Sequence, residues 1–381
     1  MPNLFTKNTL FYGDNLPILQ ECFSTESIDL IYLDPPFNSK RDYMVFKEEG
    51  EGENPAPLQA FKDTWPWDAA TQATFEDLCL NASLPLKKLL QTFYDLLGPK
   101  QLTAYLVMMT PRLVELHRIL KPTGSLYLHC DPTASHYLKL LLDAIFGTKN
   151  FRNEIVWKRT SAHNNTKTGF GKIHDRLLYY AKDIRLVCFK PVFEAYKPAY
   201  LAAEFKQDEQ GRWYKVENLT APASGGTGGK FCFRGRTPGP SRRWSMKEEE
   251  LERLWQAGRI KKDQEGRPLL RGQIVYLEEK KGRPIQDWWD DLRRVGNTAK
   301  ERLGYPTQKP LALLERILQA SSNAGAWVLD PFCGCGTTLV AAQKLQRNWV
   351  GIELNLQTAA LHQKRLEDLF GLFPQRDYEV K

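Results

Sequence analysis

The 381-residue sequence predicts an α/β chain built on a doubly wound, mostly parallel sheet interrupted by an irregular insert. Three observations predict it. An apolar run from Ile28 to Leu33 ends abruptly in Asp34-Pro35-Pro36-Phe37. Near the other end, a strand running from Trp327 to Asp330 passes through the glycine turn Cys333-Gly334-Cys335-Gly336 into a helix start, and a further strand from Asn348 ends in Glu353. Between these ends, over residues 187–298, the pattern dissolves into short strands and Gly/Pro turns, with one helix expected over 246–257.

The chain opens with a strand at Thr9–Tyr12, followed by Gly13-Asp14-Asn15. The second strand, Ile28–Leu33, stops at its prolines, which donate no N–H and force extended backbone before them, leaving Asp34 and a free carbonyl at the tip. Two acceptors side by side suit an exocyclic amino group. They draw its hydrogens out of the ring plane and turn its lone pair outward, while Phe37 offers a ring on which a base stacks. The same tetrapeptide also fits an ordinary strand closed by a proline turn.

Residues 48–57, rich in Glu, Gly and Pro, read as a mobile loop beside this tip, and Trp65-Pro66-Trp67 either supports that loop or packs on the scaffold. Apolar residues recur at helical spacing from Leu84 to Leu97 and again over 102–120, where Pro111 marks a break or kink. Lys121-Pro122-Thr123-Gly124 then turns the chain into a strand over 125–130. His129 and Asp131, at its end, read as strand-end residues outside the catalytic set. Strands over 154–158 and 176–181 complete the sheet, joined by a polar, basic loop over 160–172 that suits a polyanion.

In the glycine turn, Gly334 and Gly336 let the backbone approach a ligand closely, and Thr337 or Thr338 is placed to cap the helix that follows. Glu353, seventeen positions after Gly336, suits an acid that hydrogen-bonds ribose hydroxyls, so an adenosine-bearing cofactor is implied. A nicotinamide dinucleotide would prefer a third glycine where Leu339 stands. Cys333 and Cys335 lack a second Cys/His pair to complete a metal site, and the seven scattered cysteines read as reduced thiols.

Charge is concentrated in the middle. Residues 151–300 hold 31 lysines and arginines against 19 acids, net +12, while the remainder holds 22 against 26, net −4. The densest piece, 230–244, carries Lys230, Arg234, Arg236, Arg242 and Arg243 with three aromatics and no acid. Such a segment suits phosphate tracking and base stacking, and equally a solvated basic loop. The glycine run 224–229 beside it lacks the Walker pattern and reads as a flexible lead-in.

Gly13-Asp14-Asn15, Asp34-Pro35-Pro36-Phe37, Tyr305-Pro306-Thr307-Gln308-Lys309-Pro310 and the turn after Asp330-Pro331-Phe332, in this order along the chain, resemble the motifs of amino-group DNA methyltransferases. The resemblance is to the permuted subgroup called beta, in which the catalytic motif precedes the cofactor loop. It implies a Rossmann-like methyltransferase fold with a catalytic half over 1–186, a target-recognition region over 187–298 and a cofactor half over 299–381. It implies S-adenosyl-L-methionine as cofactor, with Asp14 and Asn15 beside its adenine and Thr307, Gln308 and Lys309 near its methionine end. Asp330, Pro331, Phe332, Gly334, Gly336, Thr337, Thr338 and Glu353 would complete that site, and Asp34, Pro35, Pro36 and Phe37 would form the catalytic set.

The implied reaction is methyl transfer to adenine N6 in double-stranded DNA, by direct attack after the base leaves the helix. Asp at the first motif position favours adenine over cytosine N4, where Ser is common. Phe37 stands in for the more frequent Tyr and keeps the stacking face. Cytosine carbon 5 is excluded, since that chemistry takes a Pro-Cys nucleophile and no Pro-Cys occurs. A companion restriction endonuclease and a homodimer are compatible with the resemblance. The chain has no run of about eighteen apolar residues and no apolar stretch at its start, so a cytoplasmic location without a membrane partner is expected. RNA or protein-glutamine methylation usually places Asn first in the tetrapeptide; a nicotinamide oxidoreductase would leave Asp34 to Phe37 idle. A noncatalytic DNA-binding protein that merely retains the fold is a further alternative.

Overall fold

In the computed structural model, which describes residues 3–37, 42–45, 58–161, 167–224, 228–296 and 298–381, the chain divides into a larger unit, Met1–Val192 with Gln286–Lys381, and a smaller one, Phe193–Ile285. The loop expected over 48–57 and the centre of the glycine run 224–229 lie outside the described residues.

The larger unit begins with β1 (Thr9–Tyr12), α1 (Asn15–Cys22) and β2 (Ile28–Leu33). Asp14 starts α1 as its N-cap, accepting from the Leu16 amide at 2.8 Å. β3 (Asp42–Val45) and β4 (Leu58–Lys62) pair as an antiparallel ribbon. Asp68 caps α2 (Ala69–Asn81), and α3 (Leu84–Leu97) ends at Gly98, whose φ of 72° suits a glycine stop. α4 (Gln101–Ile119) corrects the expected break, because it runs unbroken through Pro111. Side chains on either side serve the local carbonyls: Thr110 donates to Leu106 O at 2.7 Å and Arg112 to Met108 O at 2.8 Å.

β5 (Leu120–Cys130) also begins earlier than expected. Its register on β2 jumps from Leu120 opposite Ile28 to Ser125 opposite Leu30, so Lys121 to Gly124 form a bulge inside the strand rather than a turn before it. α5 (Ser135–Phe146), β6 (Phe151–Lys158) and β7 (His174–Ala181) follow.

The smaller unit carries β8 (Phe193–Glu194), α6 (Pro198–Glu204), β9 (Lys206–Gln207), β10 (Trp213–Glu217), β11 (Thr220–Pro222) and β12 (Arg242–Trp244). α7 (Glu248–Gln256), β13 (Ile260–Lys262), β14 (Pro268–Tyr276) and β15 (Arg283–Pro284) complete it. A four-stranded sheet, β13-β14-β10-β9, and a small core of Leu219, Phe233, Trp244, Leu251 and Ile260 give it its own packing. α6 was not expected from the sequence; it is one short, solvent-facing turn pair with no buried residue, hence no apolar periodicity to read.

The chain re-enters the larger unit through β16 (Trp288–Trp289), α8 (Leu311–Ser321), β17 (Trp327–Asp330), α9 (Thr337–Lys344), β18 (Asn348–Glu353), α10 (Leu356–Phe370) and β19 (Glu379–Val380). Nine strands form one sheet in the order β16-β6-β7-β5-β2-β17-β18-β1-β19. Among them β7 alone runs opposite to its neighbours. β7 lies inside the sheet, covered by β6 and then by β16, where Trp289 is buried and Trp288 exposed. Residues of β2, β5 and β18 are buried on both faces, as helices on both sides require: α1 to α5 pack on one another, and α8 and α9 form a separate pair. This is the doubly wound α/β sheet that the apolar runs predict. Among the described residues no helix is long and apolar enough to cross a membrane.

Candidate active site

Parallel strands bring their carboxyl ends to one edge of the sheet, and there β1, β2, β17 and β18 deliver Gly13-Asp14, Asp34, Asp330 and Glu353 to a single cavity of about 1230 Å³. Every residue of the expected catalytic and cofactor sets lines it except Gly336.

Asp34 follows directly on β2. Its Oδ2 is ion-paired to Lys309 Nζ, and both side chains are largely buried. Its Oδ1 is buried and has no hydrogen-bond partner among the described residues. Pro35 is buried behind it, while Pro36 and Phe37 are half-buried at the cavity wall. Lys309 Nζ lies 5.3 Å from the Phe37 ring centre, and the His129 ring centre lies 5.8 Å from it.

His129 is fully buried in a chain of polar groups under Phe37. Burial raises the Tyr32 pKa well above its usual value, so the hydroxyl keeps its proton, and it shares a hydrogen bond of 2.8 Å with His129 Nδ1. Nε2 of the same ring then faces Asp175 Oδ2 at 3.4 Å, and Arg159 Nε pairs with Asp175 Oδ1 at 3.1 Å. Burial pushes the Asp175 carboxyl up, but the His129 bond and the charges of Arg159 and Lys309 outweigh it and hold it below its ordinary value.

The cofactor-side residues are mutually braced. Arg112 Nη2 reaches both Asp14 oxygens, at 2.7 and 2.9 Å, and Arg112 Nε donates to Asn15 Oδ1 at 2.6 Å. Asn15 Nδ2 in turn donates to Pro331 O at 2.8 Å, joining positions 316 residues apart. Thr307 lines the cavity, and Gln308 accepts from the Leu303 amide at 2.8 Å, which fixes the turn that aims Lys309.

Asp330 is buried at the end of β17. Burial lifts its pKa to about 7, with the charges of Asp34 and Glu353 adding to that rise against hydrogen bonds from Thr338 Oγ1 and the Phe332 amide. The Thr338 bond, at 2.5 Å, corrects the expected cap: Gly336 is the N-cap of α9, and Thr337 and Thr338 are its first two residues with no side-chain cap. Gly334 and Gly336 have φ of 49° and 74°, and a Cβ on them would stand 3.3 Å from the Tyr305 ring and 2.9 Å from the His362 ring. The loop is thus pressed onto its own supports. From α10, His362 Nε2 bonds Gly334 O, and Arg365 Nη1 donates to Cys335 O and Thr337 Oγ1 at 3.2 Å each. Burial lowers the His362 pKa to about 4, so the ring is neutral. Burial also raises both cysteine thiols in the loop, which leaves them un-ionised. Glu353, at the end of β18, accepts from the Asn355 amide at 3.0 Å, and burial raises its pKa to about 7.

Sequence reasoning missed Arg112, Tyr32, His362 and Arg365, and it set His129 aside as a strand-end residue. Of the four, Arg112 left a trace, as a lone cation beside a proline in an otherwise apolar helix segment.

The five cations expected at a DNA surface all lie in the smaller unit and have local partners. Arg234 pairs with Glu252, Arg236 with Asp263, and Lys230 with Pro240 O. Arg242 donates to Thr220 Oγ1 and O at 2.7 Å. Arg243 is only 8% exposed and donates to Pro222 O at 3.1 Å and Gly228 O at 3.0 Å, so its guanidinium is turned inward to hold the backbone together.

Comparison with known proteins bears on the whole arrangement. The type II methyltransferase M.EcaI of Enterobacter cloacae is 35% identical over 277 residues, covering 72% of this chain and 60% of that protein. The DNA adenine methyltransferase YhdJ of Escherichia coli K12 is 25% identical over 359 residues, covering 94% of this chain and 82% of that protein. A Thermus thermophilus protein solved as a complex with S-adenosyl-L-methionine is 17% identical, with 98% of this chain and 99% of that chain covered and a TM-score of 0.44. The chain therefore spans about three fifths of the length of M.EcaI and most of YhdJ. The model of one family, described as DNA methylase, matches residues 28–364, from the strand that carries Asp34 to the helix that braces the glycine loop, and the chain belongs to that family of N6/N4 amino-group enzymes.

Proposed function

We propose that this chain transfers a methyl group from S-adenosyl-L-methionine to the N6 amino group of adenine in double-stranded DNA, after the base has left the helix. The observation that carries the reading is the buried, unpartnered Oδ1 of Asp34, a residue that lines the same cavity as the glycine loop and Glu353. A buried acceptor left without a donor is costly unless a ligand supplies one.

The residues present suit the cofactor. Glu353 offers a carboxyl to ribose hydroxyls, Asp14 and Asn15 are held rigid by Arg112 for an adenine, and Gly334, at positive φ, turns the loop backbone along the cavity wall. When bound, S-adenosyl-L-methionine supplies an electrophilic methyl carbon on a sulfonium.

Everything else is the work of the protein. Lys309 occupies Asp34 Oδ2, so Oδ1 is the acceptor open to one amino N–H, and the Pro35 carbonyl takes the other. With both hydrogens held, the nitrogen lone pair points out of the ring plane, and the base rests on Phe37, itself positioned by His129 and Lys309. The proton that the nitrogen sheds has Asp34 Oδ1 as its nearest acceptor. Asp rather than Ser at position 34 and the similarity to YhdJ, a DNA adenine methyltransferase, both support adenine over cytosine N4. The unit Phe193–Ile285, within the expected span 187–298, is proposed as the target-recognition region, and a companion restriction endonuclease belongs to the same proposal.

The test is to incubate the chain with DNA and S-adenosyl-L-methionine and identify the nucleosides after digestion. N6-methyladenine is expected; N4-methylcytosine alone would overturn the choice of base, and no modified nucleoside would overturn the reaction.

A further inference from the structure

Phe170 is fully solvent-exposed, at 103% of its reference area, whereas the next most exposed large apolar side chains among the described residues, Leu96 and Leu354, stand at 73%. A phenyl ring held wholly in water has no stabilising role in the fold. Its neighbours keep it out: Gly169 and Gly171 flank it in open space, with nothing within 4 Å of either Cβ position, and the exposed Lys167 and Lys172 lie three and two residues away.

The loop that carries it is anchored at the catalytic edge. It connects β6 to β7, and because β7 is antiparallel to β5, its start lies beside the end of β5, with Arg176 opposite Cys130. The Thr160 amide donates to Ile173 O at 3.3 Å and closes the neck. Just below that neck, Arg159 pairs with Asp175, Asp175 faces His129, and His129 lies against Phe37. The exposed ring thus sits on a loop whose neck is joined, through Arg159, Asp175 and His129, to Phe37.

We propose that Phe170 is a wedge that enters the duplex beside the target base and fills the space its departure leaves, with Lys167 and Lys172 on the flanking phosphates. Apolar side chains inserted between base steps offset the lost stacking, and cations on either side set their depth. The proposal rests on the base-extruding reading above.

The experiment uses the site found by sequencing modified bases in DNA from an expressing host, placed in a duplex with 2-aminopurine at the target position. Wild type should raise its fluorescence; Phe170→Ala should raise it about tenfold less and turn over matched duplex about tenfold more slowly, while Phe170→Trp behaves as wild type. On a duplex with an abasic position opposite the target, where extrusion needs no unpairing, Phe170→Ala should come within about twofold of wild type. Binding of S-adenosyl-L-methionine, measured by calorimetry, should be the same in all three. Equal behaviour of Phe170→Ala and wild type on matched duplex overturns the wedge, as does an equal deficit on matched and abasic duplexes. A wild-type chain that modifies no DNA overturns instead the reading on which the wedge rests.

Discussion

Replacing Glu353 with Gln should make the ligand-free protein more stable at alkaline pH while removing its grip on the cofactor. Burial raises this carboxyl from its ordinary 4.5 to about 7 in the folded chain. The unfolded chain therefore ionises first as pH rises, and the stability that the protonated group has below about pH 4.5 is lost progressively until the folded group ionises near pH 7. At about 1.4 kcal/mol per pH unit over that interval, the loss is about 3 kcal/mol, a large part of the 5–15 kcal/mol of a typical domain. Gln keeps the shape of the protonated acid and cannot ionise. Urea unfolding of the ligand-free proteins should thus give equal stability near pH 4.5 and a gap in favour of Glu353→Gln that widens to about 3 kcal/mol at pH 8. Asp330, whose pKa is also raised to about 7, makes both proteins lose stability with pH, and because the Glu353 charge contributes to that rise, the gap includes a smaller share from relief of Asp330 in the variant. Calorimetry should show S-adenosyl-L-methionine binding to the variant weakened by about tenfold or more. A gap that does not change with pH, or a variant less stable at pH 8, would refute the argument that burial strains this carboxyl.

On the proposed contact of Asp34 with the amino group, Asp34→Ala should lower methyl transfer by about a thousandfold and leave cofactor affinity within about threefold; matching losses in both would make it a scaffold residue. Lys309→Met leaves the Asp34 carboxylate buried without its partner and should cost about 1–3 kcal/mol in chemical denaturation, largely restored in the double variant with Asp34→Asn. A coupling energy under about 0.5 kcal/mol would show that the ion pair contributes nothing. Arg243→Ala should destabilise the chain by about 1–3 kcal/mol, through the carbonyls of Pro222 and Gly228, without changing the salt dependence of DNA binding. A flattened salt slope would return Arg243 to the interface.

What the sequence made legible was what is local. β1, β2 and α3 have the bounds read from their apolar patterns, because strands buried on both faces appear as unbroken apolar runs and α3 keeps a clean helical stripe. The motif residues could be named because each motif is a few consecutive positions whose backbone demands, proline before a stop and glycine at positive φ, are written in residue type. What stayed hidden depends on partners far along the chain. Nothing near Lys309 announces Asp34, 275 residues away, and nothing near Arg112 announces Asp14. Pro111 reads as a break because the pattern cannot show Thr110 and Arg112 serving the adjacent carbonyls. Arg243 reads as a surface cation for the same reason, since composition records its charge and not the two carbonyls that consume it.

The strand order has a consequence for synthesis. β17, which hydrogen-bonds one edge of β2, leaves the ribosome after it by 298 residues, as the pairing of Asp29 with the Trp327 amide marks. At about 5–20 residues per second, translation leaves that edge of the catalytic strand open for roughly 15–60 s. A nascent chain therefore has no assembled cavity early, and for the same interval it carries an unpaired, apolar strand edge open to pairing with neighbouring polypeptides.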